Sequence, residues 1–190
     1  RDKRLLSRFG LFGDLEELEN NNLVELLKIE NVNDPELLEQ LNQRQCNIGF
    51  SISCRNIIKK PLIDFFRGAI FNLHDSYLPD ERGGGLNSWR ILNDVRDVGD
   101  TIHFLDEGID SGRIILRSKL PIDATRPTPI DYHLTSAKNC ETLISKFLKL
   151  IVDCPDPCQI PAIEQEHDQS DYFPRLFTEQ NGLINWDWSQ

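Results

Sequence analysis

The fold of this chain is decided by the stretch Gly68-Ala69-Ile70-Phe71-Asn72, an apolar segment that predicts a short buried strand. Similar segments predict strands at 47–51, 100–104 and 113–120, and Leu26-Leu27-Lys28-Ile29 predicts a further short one. Helical patterns lie between or after them, at 34–41, 57–66, 87–93 and 129–152. Strands that alternate with helices at this spacing predict an α/β sheet that is at least partly parallel.

The chain divides by composition into a core and a tail. We expect residues 1–152 to form the core, with the polar residues 1–22 as a helix or a peripheral insertion. Residues 153–190, rich in proline, tryptophan and polar residues, are expected to form an extended tail packed on that core. Because the chain opens at Arg1 and contains no methionine, we also expect the natural protein to have a segment before Arg1.

Charge and composition narrow the possible partners. The 190 residues carry 31 acids and 21 bases, a net charge of −10. Such a chain lacks the broad positive surface that supplies most nucleic-acid affinity, which argues against a nucleic-acid partner. The longest apolar runs are as short as Ile114-Ile115-Leu116, so no membrane span is predicted, and the expected location is the cytoplasm. The sequence does not indicate an oligomeric state.

The five cysteines do not predict a metal site or a disulfide framework. Their number is odd and their spacing irregular. Cys154 and Cys158 are close together, but no second pair of ligands completes a tetrahedral site. We expect reduced thiols and no metal.

Polar side chains gather where the strand predicted at 68–72 ends, in Phe71-Asn72-Leu73-His74-Asp75. Asn72 and His74 are two positions apart, so in an extended chain their side chains share one face. An amide donor and an imidazole together can bind an oxyanion. The same pair can equally be structural, because short motif matches are only hypotheses.

Two glycine-containing segments follow. Arg82-Gly83-Gly84-Gly85 lacks the lysine of a phosphate-binding P-loop, and is either a plain turn or a close approach of backbone to substrate. In the second, Asp110-Ser111-Gly112, the acid is either a turn former or the group that orients a histidine and handles its proton. His103, in the middle of a strand, is expected to be a hydrogen-bonded core histidine.

These segments together resemble a known signature. The runs Asn72-Leu73-His74, Ser76, Leu78-Pro79, Arg82-Gly83 and Thr101 to Gly112 are similar to the 10-formyltetrahydrofolate-dependent formyltransferases. That family includes the glycinamide ribonucleotide, methionyl-tRNA and sugar N-formyltransferases. The resemblance implies a Rossmann-like core, a mostly parallel sheet flanked by helices, and 10-formyltetrahydrofolate as the formyl donor, without a metal.

The resemblance also implies residue roles. It implies a catalytic triad of Asn72, His74 and Asp110. The folate-binding residues that it implies lie in two loops: Arg55, Asn56, Ile57 and Ile58 in the first, and Leu105, Asp106, Glu107 and Gly108 in the second. Ser76, Arg82, Gly83 and Gly84 are assigned to the acceptor substrate.

The sequence leaves the acceptor and the reaction partly open. We expect a primary amine of a small molecule, with a nucleotide-linked amino sugar ahead of glycinamide ribonucleotide and of tRNA. Two alternatives remain: a 10-formyltetrahydrofolate hydrolase that passes the formyl group to water, and a non-catalytic folate-binding module.

Overall fold

The structure, a computed structural model, describes residues 19–21, 24–166 and 171–174, in two compact units that divide after Val32. In the first unit, residues 19 and 20 are helical and the backbone N–H of Leu26 donates to the Glu19 carboxylate at 3.1 Å. The strand predicted at 26–29 is wrong, because this segment has no secondary structure. The predicted peripheral insertion at 1–22 lies almost wholly outside the described residues.

The second unit, Asn33–Gln190, contains the sheet and its helices. Its helices are α1 (Pro35–Gln43), α2 (Lys60–Phe65), α3 (Leu86–Leu92) and α4 (Pro129–Asp153). Its strands are β1 (Gly49–Ile52), β2 (Ile70–His74), β3 (Glu81–Gly83), β4 (Asp97–Phe104), β5 (Ile114–Pro121) and β6 (Asp171–Phe173). The α/β class and the four predicted helices are confirmed, and β1, β2, β4 and β5 overlap the predicted strands.

The main sheet has the strand order β1-β2-β4-β5. β1 and β2 are parallel, joined by a crossover through α2, whereas β2–β4 and β4–β5 are antiparallel. Among these described strands the sheet is therefore mixed, and the expectation of a mostly parallel sheet is wrong. The loop 105–113 between β4 and β5 is too short for the crossover that a parallel pair needs.

One face of the sheet is covered by α4. The helix begins at a capping box in which Thr128 and Asp131 exchange hydrogen bonds, with Pro129 in its first turn. Its buried residues Leu143 and Phe147 join an apolar cluster with side chains of β2 and β4. In the described part of the chain, no helix has both the length and the apolar character that crossing a membrane requires.

A buried polar cluster ties α4 to β4. Asp100 is fully buried and accepts hydrogen bonds from Ser136 Oγ at 2.6 Å and Asn139 Nδ2 at 2.8 Å. Burial raises the pKa of the Asp100 carboxyl group, and these hydrogen bonds oppose the shift. The cluster fixes the helix over the sheet, leaving the opposite face of β2 and β4 to the polar side chains described below.

The residues after α4 return to the sheet. The backbones of Ile114 and Ile163 exchange two hydrogen bonds, each of 2.8 Å, which forms an antiparallel bridge at the start of β5. Further on, β6 pairs in parallel with β3. These contacts place parts of the tail beside the loops that carry the predicted site.

Candidate active site

The polar face of β2 and β4 carries the centre of the site. Successive side chains in a strand point to opposite faces. In the antiparallel register Asn72 is opposite His103, and His74 is opposite Thr101. The alternate residues of both strands belong to the apolar cluster under α4: Phe71, Leu73, Ile102 and Phe104. The prediction that Asn72 and His74 share one face is confirmed.

Asp110 reaches this face from the loop between β4 and β5. Its Oδ1 lies 3.5 Å from Nδ1 of His74 and 3.9 Å from Nε2 of His103. Its Oδ2 accepts a hydrogen bond from the backbone N–H of Gly83 at 3.0 Å. Asp110 has a φ of 52°, in the left-handed region that costs a non-glycine residue on the order of 1 kcal/mol. The structure thus brings the acid of the predicted triad to its histidine.

The imidazole of His74 lies between two hydrogen-bond acceptors. Its Nε2 lies 3.2 Å from the carbonyl oxygen of Glu81, and its Nδ1 faces the Asp110 carboxylate. The side chain is 10% exposed. Each ring nitrogen therefore lies beside an oxygen that can accept a hydrogen bond, and these two contacts hold the imidazole in place.

His103 orients Asn72. Its Nδ1 lies 2.6 Å from the carbonyl oxygen of Phe104, which only accepts, so Nδ1 carries the hydrogen. Nε2 is then the acceptor for the Asn72 side-chain N–H, at 3.2 Å. Burial, followed by the neighbouring His74, lowers the pKa of His103 to about 4, so the ring is neutral at pH 7.

The expected hydrogen-bonded core histidine at His103 is thus confirmed, but sequence reasoning missed its contact with Asn72. The signal that could have found it is the register. Residues directly opposite each other on antiparallel strands have Cβ atoms about 5 Å apart and can make contact, but no local pattern indicates that β4 pairs with β2.

A buried guanidinium fixes the loop between β2 and β3. Arg90, with a side chain 1% exposed, donates to the Glu81 carboxylate at 2.7 Å and to the Asp75 carboxylate at 3.0 Å. Burial alone would lower the pKa of Arg90, but the hydrogen bonds and charges of Glu81 and Asp75 raise it. Because the Glu81 carbonyl contacts His74, this ion-pair cluster also helps to hold the imidazole in place.

The residues predicted to bind the acceptor lie close to the site in different settings. Ser76 is fully buried and donates to the Glu81 carbonyl oxygen. Arg82 is buried too, and its guanidinium donates to Gln165 at 3.0 Å. Gly83 contacts Asp110 through its N–H, and the N–H of Gly84 donates to the Phe173 carbonyl oxygen at 2.9 Å. The side chains of Ser76 and Arg82 therefore contact protein groups.

The two predicted folate-binding loops are neighbours in the structure. The side chain of Asn33 holds the first loop by donating to the Ile57 carbonyl and accepting from the Lys59 N–H, both at 2.8 Å. Lys60, just beyond that loop, lies 3.5 Å from Glu107 in the second. Arg55, Asn56 and Ile57 are exposed, as are Asp106, Glu107 and Gly108, whereas Leu105 is half-buried and Ile58 is buried.

Sequence analysis also missed a contact that is made by the tail. The Gln165 side chain, from the tail, donates to the carbonyl oxygens of Asp110 and Gly112 at 2.9 and 2.6 Å. A lone glutamine in a polar segment gives no pattern that could have indicated this position.

Comparison with known proteins identifies relatives of this chain. The chain is 28% identical over 163 residues to a methionyl-tRNA formyltransferase of Syntrophus aciditrophicus (strain SB), an alignment that covers 86% of this chain and 50% of the relative. A second methionyl-tRNA formyltransferase, from Syntrophomonas wolfei subsp. wolfei, is 24% identical with the same coverage. The chain thus spans about half the length of these curated relatives.

Two solved structures superpose on this chain. The sugar 3N-formyl transferase WlaRD, crystallised in the presence of dTDP and 5-N-formyl-THF, superposes with a TM-score of 0.65 at 26% identity, covering 85% of this chain and 53% of that one. An N-formyltransferase from Helicobacter canadensis, in complex with folinic acid and dTDP-3-aminofucose, gives a TM-score of 0.66 at 27% identity, with coverage of 85% and 54%. The Rossmann-like α/β class is confirmed.

The family assignment follows from the extent of the match. The profile of the Formyl transferase family aligns with residues 15–143, which include β2, β4 and the loop that carries Asp110. This chain belongs to the formyl transferase family.

Proposed function

We propose that this chain transfers a formyl group from 10-formyltetrahydrofolate to a primary amine. The observation that carries the proposal is the meeting of the Asp110 carboxylate with His74 beside an Asn72 amide that neutral His103 orients. Formyl transfer needs a donor for the developing oxyanion, a group that removes a proton from the amine and an acid for the leaving nitrogen. Asn72, His74 and Asp110 together supply these functions.

Each residue has a definite task in this mechanism. One N–H of Asn72 is bound to His103, so the second is available to donate to the oxyanion of the tetrahedral intermediate. The imidazole of His74 is the second group proposed to stabilise the same oxyanion. Asp110 accepts the proton of the attacking amine and passes it on to the leaving nitrogen, while holding the imidazole in place. A single oxyanion donor is typically worth about 10²–10³ in rate.

The two bridged loops are the proposed site for the folate. The 65% exposed apolar side chain of Ile57, with its backbone held by Asn33, offers a contact surface to a pterin ring. The loop that carries Glu107 is linked to this first loop by the 3.5 Å ion pair between Lys60 and Glu107. The bound folate supplies the activated formyl group, and the two relatives of known structure described above bind folates.

For the acceptor we propose a nucleotide-linked amino sugar. Two relatives of known structure with more than 25% identity are a sugar 3N-formyl transferase and an N-formyltransferase in complex with dTDP-3-aminofucose. A second candidate acceptor is methionyl-tRNA, because both curated relatives are named methionyl-tRNA formyltransferases. The net charge of −10 favours the smaller acceptor, since polyanion binding depends on basic surface.

The test is an acceptor screen with purified protein and 10-formyltetrahydrofolate. The panel contains dTDP-3-aminofucose, glycinamide ribonucleotide, methionyl-tRNA and a reaction without amine, followed by folate absorbance and product mass. We expect a formylated amino sugar, and loss of turnover in Asn72→Ala and His74→Ala with folate binding kept. Rapid formate release without amine would show a hydrolase. Folate binding without transfer to any acceptor would show a binding module.

A further inference from the structure

The tail delivers one side chain to the turn that holds Asp110. The Ile114–Ile163 bridge is antiparallel, so moving two residues along each strand places Gln165 opposite Gly112. Gln165 is only 7% exposed, and both of its amide hydrogens and its oxygen have partners. The register of the tail therefore determines which side chain reaches the turn.

The partners of Gln165 define its amide orientation. Nε2 donates to the carbonyl oxygens of Asp110 and Gly112, on either side of Ser111. Oε1 accepts from the Arg82 guanidinium at 3.0 Å. Two acceptors on one side and a cation on the other require an uncharged group with both donors and an acceptor, which is a carboxamide.

These contacts close a ring around the Asp110 carboxylate. Arg82 binds Gln165, the adjacent Gly83 N–H donates to Asp110 Oδ2, and the Asp110 carbonyl accepts from Gln165. Asp110 itself has a φ of 52°, which a residue with a side chain rarely adopts without support from its surroundings. Without Gln165 the backbone of the turn loses both of these hydrogen bonds, and the Gly83 N–H remains as the contact of the Asp110 carboxylate with β3.

We propose that Gln165 is a positioning residue that keeps the Asp110 carboxylate beside His74. Its side chain contacts Arg82 and the turn, and it acts through the backbone of the Asp110–Gly112 turn. This role rests on the proposed formyl transfer for its effect on rate, but the geometry that it maintains can be measured without any activity.

The first test uses the isosteric variant Gln165→Glu, which replaces two donors with a carboxylate oxygen facing two carbonyls. The matched control is Glu164→Gln, the reverse change at a neighbouring side chain that is 84% exposed. We expect kcat to fall on the order of tenfold or more in Gln165→Glu, with the folate Kd within about threefold, and the control to match wild type. Because protonation of the introduced carboxylate restores one donor, the kcat of Gln165→Glu relative to wild type should rise as the pH is lowered.

The second test separates positioning from general stability. In the Asp110→Asn background, Gln165→Ala should cost little further in kcat, because residues that act as a unit are not additive. A full additional loss in the double variant, or an unchanged kcat in Gln165→Glu, would overturn the proposal.

The third measurement does not depend on turnover. NMR chemical shifts of the His74 ring should move in Gln165→Glu in the direction seen in Asp110→Asn, and remain unchanged in Glu164→Gln. If the shifts move but no acceptor is formylated, the positioning role stands and the proposed function fails. If the shifts stay while formyl transfer is intact in wild type, the positioning role fails alone.

Discussion

The amide of Asn72 donates to Nε2 of His103 at 3.2 Å, across two antiparallel strands of the central sheet. The strength of this contact depends on a neutral imidazole, which burial secures. The contact connects Asn72, which is proposed to donate to the formyl oxygen, with the buried ring of His103, which is 2% exposed.

Replacing His103 therefore tests whether the orientation of Asn72 matters. In His103→Phe the ring volume remains but the acceptor is lost, so the Asn72 amide is no longer held. We expect kcat for formyl transfer to fall on the order of tenfold or more, with little change in folate Kd. His133→Phe, at an exposed position on α4, is the control. Equal kcat values for the two variants would remove His103 from the mechanism.

The depressed pKa of His103 also predicts a pH dependence of folding. In the unfolded chain a histidine titrates near pH 6.5, whereas in the folded protein the pKa is about 4. Between these values the unfolded state binds more protons, so the free energy of unfolding falls as the pH is lowered from about 6.5 to 4. The full difference is roughly 3 kcal/mol.

Urea unfolding at several pH values measures this slope. His103→Phe should flatten the difference between pH 6.5 and 4 relative to wild type, even though its overall stability is lower. If the free energy of unfolding changes equally with pH in the two proteins, a group other than His103 causes the pH dependence.

Asp110→Asn tests the proposed proton transfer. The amide keeps the size of the side chain but removes the charge beside His74 and the basic oxygen. We expect kcat to fall by about 10² or more, since general acid–base groups contribute about 10²–10⁴. Asp123→Asn, at an exposed position before α4, provides a control of the same chemistry. Single-turnover formation of the formylated product measures the chemical step; a wild-type rate in Asp110→Asn would contradict the assignment.

Gly112 should be intolerant of any side chain. A Cβ there would lie 1.8 Å from the Phe104 carbonyl oxygen. This oxygen belongs to the backbone, so it cannot rotate away as a side-chain atom can. We expect Gly112→Ala to lower the free energy of unfolding by at least about 2 kcal/mol. Gly68→Ala is the comparison, because that glycine has a φ of +90° but open space around it, so only about 1 kcal/mol of backbone strain applies. A similar loss in both variants would contradict the steric argument.

Local patterns predicted part of this arrangement. The two-residue repeat placed Asn72 and His74 on one face, and the alternation of apolar segments predicted the α/β class, both confirmed. The sequence could not show that β4 runs antiparallel to β2, because that direction depends on pairing between distant segments. The contact of His103 with Asn72 follows from that pairing and was missed for the same reason.

Long-range contacts account for the other omissions. Gln165 reaches Asp110 only because Ile163 pairs with Ile114, a register that no short stretch encodes. Conversely, the leucines at 26 and 27 resemble a strand locally, yet a strand requires a partner, and the segment is irregular. The catalytic and substrate roles given to the individual residues remain predictions for the experiments above.

The bridge between Ile114 and Ile163 has a consequence for the order of folding. A nascent chain that has emerged as far as Asp153 already contains most of the buried apolar cluster, including Phe71, Ile102 and Phe147, but not Ile160. It does not yet contain the glutamine that secures the Asp110–Gly112 turn. The acidic turn therefore depends for its native contacts on residues that are synthesised after most of the hydrophobic cluster.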